Sequence, residues 1–501
     1  MEEARCALVS LDERTVCSGI LLADDWVLSH GSLLRHSVVD LAALDDGPTA
    51  LQLELRVRHH CRRSGPELLE RAGSRSFAWR CPLLRRAFAE LLSAWSFDDA
   101  RGLLTVFVLV APDGLGDAAA AAASLARLLA VLPEGAARGA ALELESAPFA
   151  CPDFLGSVSR GLASNLLADG CLLMSDAPAL PGCEGAPVFA LRRGGRRLVG
   201  MLLTSRSWCR GELVGHSFAA SLRPCLQRLL RANDPSAAPS TAPSTAPVDS
   251  LDGSLALVRC GAGWGTGVLL DYETVLTCSH VVREPAARRR LDNRGARSRD
   301  HSRDRRSSRS SPCLTSLNCL SQSASKSVRV GTEEAQLVYR TPDERPYDVA
   351  VLRLPRGGRC RRWRFLELAE QLPHKGTPVL TAGFPFFGGD APPSYSRGVV
   401  SRVTPHVVQT SCCVQSGTSG GPVVDALTGR MLALVVSNIK SAGPSPVLYP
   451  RFNMAVPSSV LRRPIVDFMR TGDVSCLESL SSDDPSVHET WSYNLTPRSK
   501  I

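Results

Sequence analysis

A histidine, an aspartate and a serine follow one another at intervals of 68 and 71 residues in the second half of a 501-residue chain. They lie in Thr277-Cys278-Ser279-His280-Val281-Val282, Tyr347-Asp348-Val349-Ala350-Val351-Leu352 and Gly417-Thr418-Ser419-Gly420-Gly421-Pro422. A serine hydroxyl attacks a carbonyl carbon when a base takes its proton, a carboxylate fixes the tautomer of that base, and N–H groups receive the charge that builds on oxygen. His280 is the candidate base, Asp348 its orienter and Ser419 the nucleophile. The glycine-rich turn, free of Cβ atoms, lets the backbone bend sharply and approach a substrate, with the N–H groups of Gly417 and Ser419 as the candidate oxyanion hole. A Gly-x-Ser-Gly-Gly run alone is often only a turn; the histidine and aspartate that precede it make the hydrolytic reading.

The elements that must position these residues are short. Runs of four to eight residues rich in Val, Ile and Leu alternate with Gly, Pro, Asn and Asp, the pattern of antiparallel barrels. The pattern occurs twice. Gly19-Ile20-Leu21-Leu22 through Val27-Leu28-Ser29 matches Gly267-Val268-Leu269-Leu270 through Val275-Leu276-Thr277, and Thr105 to Leu109 matches Asp348 to Leu352. Ser159 to Ser164 matches Ser396 to Ser401, and Gly182-Cys183-Glu184-Gly185-Ala186-Pro187 matches the serine turn. Four matches in one order identify a duplication. Aligned without gaps, Ser32 stands for His280, Thr105 for Asp348 and Glu184 for Ser419, so the first half is expected to be catalytically dead. Between the halves a twice-repeated Ala-Pro-Ser-Thr reads as a linker. Helices are expected at Ser221 to Arg231 and Pro457 to Arg470, closing each half, and at the Ala-rich Asp117 to Leu132.

Composition narrows the function classes. Hydrophobic residues make up 44%, yet no run of 18 uncharged apolar residues spans a bilayer. The acidic start Met1 to Cys6 predicts no secretory signal, and 17 cysteines without CxxC pairs read as reduced core thiols. Nothing calls for a cofactor or a metal. Of the formal charge of +9, seven units fall between Arg283 and Arg309, eleven arginines against four acids. That stretch reads as an unstructured insertion and a possible self-cleavage site; without interleaved aromatic residues it does not suit nucleic acid. His30, His216 and His406 read as structural, and Cys278 and Cys413 as small buried hydrophobes.

Over Leu251 to Arg470 these motifs resemble the chymotrypsin-fold serine proteases, and within them the Deg/HtrA-like branch. The resemblance rests on the three segments above together with Leu432 to Asn438 and Phe452-Asn453-Met454-Ala455-Val456-Pro457. It implies tandem double β-barrels. It also makes Cys413, six residues before the serine, the substrate-pocket position where trypsins carry aspartate, which implies a small or neutral side chain at the cleavage site rather than Lys or Arg. The chain has no Ile-Val-Gly-Gly start in its second half and has Thr418 before the nucleophile, so the activating salt bridge of secreted trypsins has no partner. The final Ser499-Lys500-Ile501 resembles a Ser-Lys-Leu peroxisomal address. With the dead-plus-live tandem, it makes the chain similar to the peroxisomal leader peptide-processing protease family.

That resemblance implies a matrix endopeptidase that removes targeting presequences, processes imported enzymes of lipid β-oxidation and cleaves itself. Its implied partners are those substrates, the import receptor that reads the C-terminal tripeptide, and a second copy of the chain. The expected layout is a degenerate domain over 1–231, a linker over 232–250, a catalytic domain over 251–475 with an insertion at 283–326, and a tail over 476–501. The competing reading is a peptide-binding pseudoprotease with no activity in either half.

Overall fold

Short apolar runs interrupted by turn residues give strands that cannot bury both faces alone, and here they close into barrels. In a computed structural model of the chain the described residues are 4–45, 47–60, 68–98, 102–112, 116–230, 251–283, 327–355, 363–440 and 448–492. The linker 232–250, the Arg/Ser stretch after Arg283 and the tripeptide Ser499 to Ile501 lie outside them.

The first barrel joins Arg5–Ser10, Val16–Leu21, Val27–His30, Thr49–His60, Leu68–Arg80 and Val106–Val110. The second joins Ala141–Ser146, Ser157–Leu167, Leu172–Ser175, Pro187–Arg192, Gly195–Thr204 and Ser217–Ser221. In the second half, Leu255–Cys260, Gly263–Leu269, Thr274–Thr277, Val328–Val330, Glu333–Arg340 and Ala350–Arg353 form the third. Pro378–Gly383, Ser394–Val403, Val408–Thr410, Pro422–Asp425, Met431–Lys440 and Leu448–Pro457 form the fourth. Numbered within its own barrel, every set winds in the cyclic order 1-2-3-6-5-4. The fold is therefore all-β, a tandem of chymotrypsin-like double barrels.

The α-helices bounded within the described residues are α1 (Pro82–Leu91), α2 (Ala118–Val131), α3 (Leu222–Leu230), α4 (Ser458–Thr471) and α5 (Pro485–Trp491). The alanine run of α2 is a strong helix former, and Asp117 caps it by accepting from the Ala120 N–H at 2.8 Å. α3 and α4 follow the last strand of each half, while α1 and α5 carry no signal that the sequence reading recognised. Leu477, Leu480 and Val487, from the segment read as a tail, are buried in the core of the second half. No helix among the described residues is long and apolar enough to cross a membrane.

The halves interlock. Leu162 of the first half sits in the core of the second, and Phe386 and Phe387 of the second pack on the core of the first. There Trp95 stacks on Phe387 at 5.9 Å and tilts against Phe386 at 4.8 Å. Asp176, 2% exposed, accepts hydrogen bonds from Leu162 N on its own side (2.6 Å) and from Ser396 Oγ (2.8 Å) and Arg397 N (2.7 Å) across the junction. Arg138 pairs with Asp252, which also accepts from Tyr395.

Candidate active site

Strand register brings the histidine to the aspartate. Thr277 pairs with Ala350, so Asp348, two residues before Ala350, lies beside His280 in the 3-10 turn Ser279–Val281 that follows Thr277. His280 Nδ1 is 2.5 Å from Asp348 Oδ2, and the His280 backbone N–H donates to Asp348 Oδ1 at 2.9 Å. Burial pushes the Asp348 carboxyl up, but the hydrogen bond and charge of His280, with backbone donors, outweigh it and hold the group below the ordinary carboxylate value. Thr341, which the sequence reading missed, fastens both turns. Its carbonyl accepts from Ser279 Oγ at 2.8 Å, and its hydroxyl accepts from Val349 N at 3.0 Å.

Ser419 stands at the junction of the two barrels. Its hydroxyl donates to the Val436 carbonyl at 3.0 Å, and among the described residues no hydrogen bond joins it to His280. Cys278 Sγ reaches the neighbouring Val435 carbonyl at 3.2 Å, tying the histidine turn to the same strand. Cys278, His280 and Asp348 offer ligand atoms within 4.8 Å of one another. Burial raises the Cys278 pKa, which keeps the thiol protonated and ill suited to a cation.

The turn before the serine needs its glycines. Gly417 has φ +100°, and a Cβ there would lie 2.4 Å from the Phe384 carbonyl oxygen and 2.7 Å from Trp264 Nε1. Gly420 has φ +85°, and a Cβ would meet the Thr266 carbonyl oxygen at 2.1 Å. Thr266, also missed in the sequence, holds the loop from the opposite barrel. Its hydroxyl donates to the Gly417 carbonyl at 2.8 Å, and its N–H donates to the Ser419 carbonyl at 2.8 Å. The carbonyls are thereby used, while the N–H groups of Gly417 and Ser419 have no acceptor among the described residues.

Cys413 is buried, 3% exposed. Its Sγ lies 3.6 Å from Nδ1 of His216, a residue of the first half. Burial pushes the Cys413 thiol up to about 12; burial, with the Arg451 charge, takes His216 down to about 3, so both groups are neutral near pH 7. A cavity of about 240 Å³ opens beside His280 and Asp348, lined by Arg345, Tyr347 and Ser437 among others.

The first half repeats the loop with different chemistry. Gly182 and Gly185 have φ +89° and +88°, and Gly185 N donates to Leu202 O at 2.8 Å as Gly420 N donates to Val435 O at 2.8 Å. Glu184 therefore occupies the place of Ser419. Its carboxylate accepts from Gly182 N, the counterpart of the Gly417 N–H, at 2.8 Å and from Ser205 Oγ at 2.8 Å. The aspartate position needs a one-residue correction. Ser29 pairs with Val108 as Thr277 pairs with Ala350, so Val106, not Thr105, stands for Asp348. His30 is 2% exposed, and its Nδ1 accepts from Ser32 N at 3.2 Å.

A trypsin-like peptidase domain model matches residues 265–434. The chain is similar to the peroxisomal leader peptide-processing protease of Mus musculus, 31% identical over 84% of this chain and 75% of that one. To the protease of the same name from Homo sapiens it is 30% identical, over 74% of this chain and 64% of that one. A crystal structure of Rv3671c from M. tuberculosis H37Rv in an inactive form aligns over 48% of this chain and all of that one, with 18% identity and a TM-score of 0.29.

Proposed function

The chain belongs to the family of peroxisomal leader peptide-processing proteases, and we propose that it is a peroxisomal serine endopeptidase in which Ser419 is the nucleophile, His280 the base and Asp348 its orienter. The observation that carries the reading is the 2.5 Å contact of His280 Nδ1 with Asp348. A proton held at Nδ1 leaves Nε2 with its lone pair, the form a base requires. The Ser419 hydroxyl leaves the Val436 carbonyl for Nε2 and attacks the scissile carbonyl. The oxyanion is received by the N–H groups of Gly417 and Ser419, which have no acceptor of their own. Imidazolium then protonates the leaving amine, and water, deprotonated by the same Nε2, releases the acyl group.

The substrates proposed are imported proteins, from which the enzyme removes N-terminal targeting presequences, enzymes of lipid β-oxidation among them, and the chain itself. The name shared by the two relatives supports the removal of leader peptides within this range. Ser499-Lys500-Ile501 is proposed as the address read by the import receptor, and self-association as the means by which one copy cleaves another. Residues 1–231 are proposed as the degenerate domain and 251–475 as the catalytic one.

Reaction with a fluorophosphonate probe tests the assignment, since only an activated serine is labelled. Wild type labels and cleaves a presequence-bearing substrate, whereas Ser419→Ala does neither and melts at the same temperature. Cleavage retained by Ser419→Ala refutes the proposal. Peptide binding without labelling of wild type establishes the pseudoprotease reading instead.

A further inference from the structure

We infer that the catalytically dead half acts in cis as a positioning element for the oxyanion segment Cys413–Gly417 of the live half, through Asp176, His216 and Glu212. The inference rests on the assignment of Ser419 above. A loop that must hold two N–H groups ready for a developing charge has to be ordered before substrate arrives. In this chain Thr418 stands before the nucleophile, and among the described residues it bonds within its own loop: its N–H donates to Gln415 O at 2.9 Å, its hydroxyl accepts from Gln415 N at 3.4 Å and its carbonyl accepts from Gly421 N at 2.8 Å. That turn fixes the end of the segment nearest the serine. The rest of it is held from both halves: within the second half Val414 N donates to Pro450 O at 2.8 Å, Asn438 Nδ2 to Val414 O at 2.8 Å and Phe386 N to Ser416 O at 3.4 Å, and the first half adds its own ties.

Three contacts lead to the first half. At the base of the segment the Cys413 N–H donates to Ser396 Oγ at 2.6 Å, and that hydroxyl donates in turn to the buried Asp176 carboxylate at 2.8 Å. Beside it the first-half backbone at Gly215 packs so closely that a Cβ there would stand 2.5 Å from Cys413 Sγ, and the His216 ring lies on the same sulfur. At the other end Glu212 Oε2 accepts from Ser416 Oγ at 3.1 Å, one residue before the candidate oxyanion donor Gly417. The hairpin that carries Glu212 also lays the Arg210 guanidinium over the Trp264 ring at 4.8 Å. Trp264 in turn bonds the Phe384 carbonyl, against which Gly417 packs. The first half thus grips the segment at both ends and braces the wall behind it.

The test uses the full chain and separates positioning from folding and from substrate contact. Glu212→Ala removes the acceptor for Ser416 at the surface and leaves the cores untouched, while Glu212→Gln keeps an acceptor there. Asp176→Asn keeps the shape of the buried tie and removes one acceptor. Each variant is compared with wild type for its rate of fluorophosphonate labelling, for kcat and KM on a presequence peptide, and for thermal midpoint. Glu212→Ala is expected to label about fivefold more slowly with kcat reduced alike, KM and midpoint unchanged, and Glu212→Gln to recover most of the loss. Asp176→Asn is expected to lose about fiftyfold, since a displacement of about 1 Å at a reacting centre costs on that order. Labelling and kcat of Glu212→Ala within twofold of wild type overturn the inference, whatever the stability of Asp176→Asn. A change confined to KM also overturns it, because Glu212 would then touch substrate. A wild-type chain that does not label overturns the assignment of Ser419, and this inference with it.

Discussion

Asp348→Asn keeps the volume of the site and changes the place of one proton. In the native chain Oδ1 accepts from the His280 backbone N–H at 2.9 Å while Oδ2 meets Nδ1 at 2.5 Å. Asparagine has a single oxygen for these two donors. If the oxygen stays with the backbone N–H, the amide N–H faces Nδ1, which must become an acceptor, and the imidazole proton moves to Nε2, the atom that has to receive the proton of Ser419. If the amide turns over, two donors meet at the His280 N–H, which costs about 1–3 kcal/mol. The first arrangement wins, and the base is lost. A drop in kcat on the order of 10⁴ follows, equivalent to roughly 5.4 kcal/mol of barrier. KM changes little, because Asp348 does not face the scissile bond. Single-turnover cleavage of a presequence peptide measures the effect, with circular dichroism melts to confirm the fold. The folded Asp348 carboxyl is held below its ordinary value. Its stabilising contribution is therefore full above the unfolded pKa of about 3.9 and is lost as pH falls through the folded value. The stability gap between wild type and variant should close in that acid range. A folded Asp348→Asn enzyme with kcat within tenfold of wild type refutes the reasoning.

Three further outcomes follow from the first half. Glu184→Ala strips the acceptor from Gly182 N and Ser205 Oγ. It should lower stability by about 1–3 kcal/mol, read as a lower urea midpoint, and Glu184→Ser in a Ser419→Ala background should remain unlabelled by fluorophosphonate because Val106 stands where Asp348 would; labelling there would show a latent site. His216, depressed to about 3 by burial and by Arg451, faces Cys413 and Phe386. A histidine held neutral stabilises fully above its unfolded pKa of about 6.5 and loses that contribution as pH falls toward 3, up to roughly 5 kcal/mol. His216→Asn should flatten this stretch of the acid-unfolding curve, and an unchanged curve would show that the ring is accessible to protons in the folded chain.

The parts of the site legible in the sequence are those fixed by local order. His280 follows an apolar strand, Asp348 precedes one, and the serine turn is spelled by its glycines. The register that pairs Thr277 with Ala350 then does the assembling. What was not legible depends on contacts between distant strands. Thr341 is an ordinary threonine until the folded chain places its carbonyl and hydroxyl on the two catalytic turns. Thr105 looked equivalent to Asp348 because an ungapped match cannot detect that the first-half ladder sets Ser29 against Val108. Cys413 was read as a pocket residue from the resemblance to proteases, and its contact with His216, 197 residues earlier, could not be read from it. No periodicity within either half announces that contact.

The two matching loops also bear on the role of the first half, proposed above as degenerate. Gly182 and Gly185 keep the backbone of a functional oxyanion turn, but with Glu184 in the nucleophile position the turn is closed by its own carboxylate. The strands around that loop serve the interface. They present Asp176 and the hairpin bearing Glu212 to the neighbouring half. Removing the first half would take Leu162 out of the core of the second, expose Phe386 and Phe387 to water and strip Ser396 and Arg397 of their buried acceptor. The interface therefore carries both apolar burial and a buried carboxylate whose donors come largely from the other side, and breaking it leaves unpaired polar groups as well as lost contacts. On the proposed assignment, loss of chemistry in the first half is compatible with retention of its surface, because the loop bearing Ser419 is built against that surface.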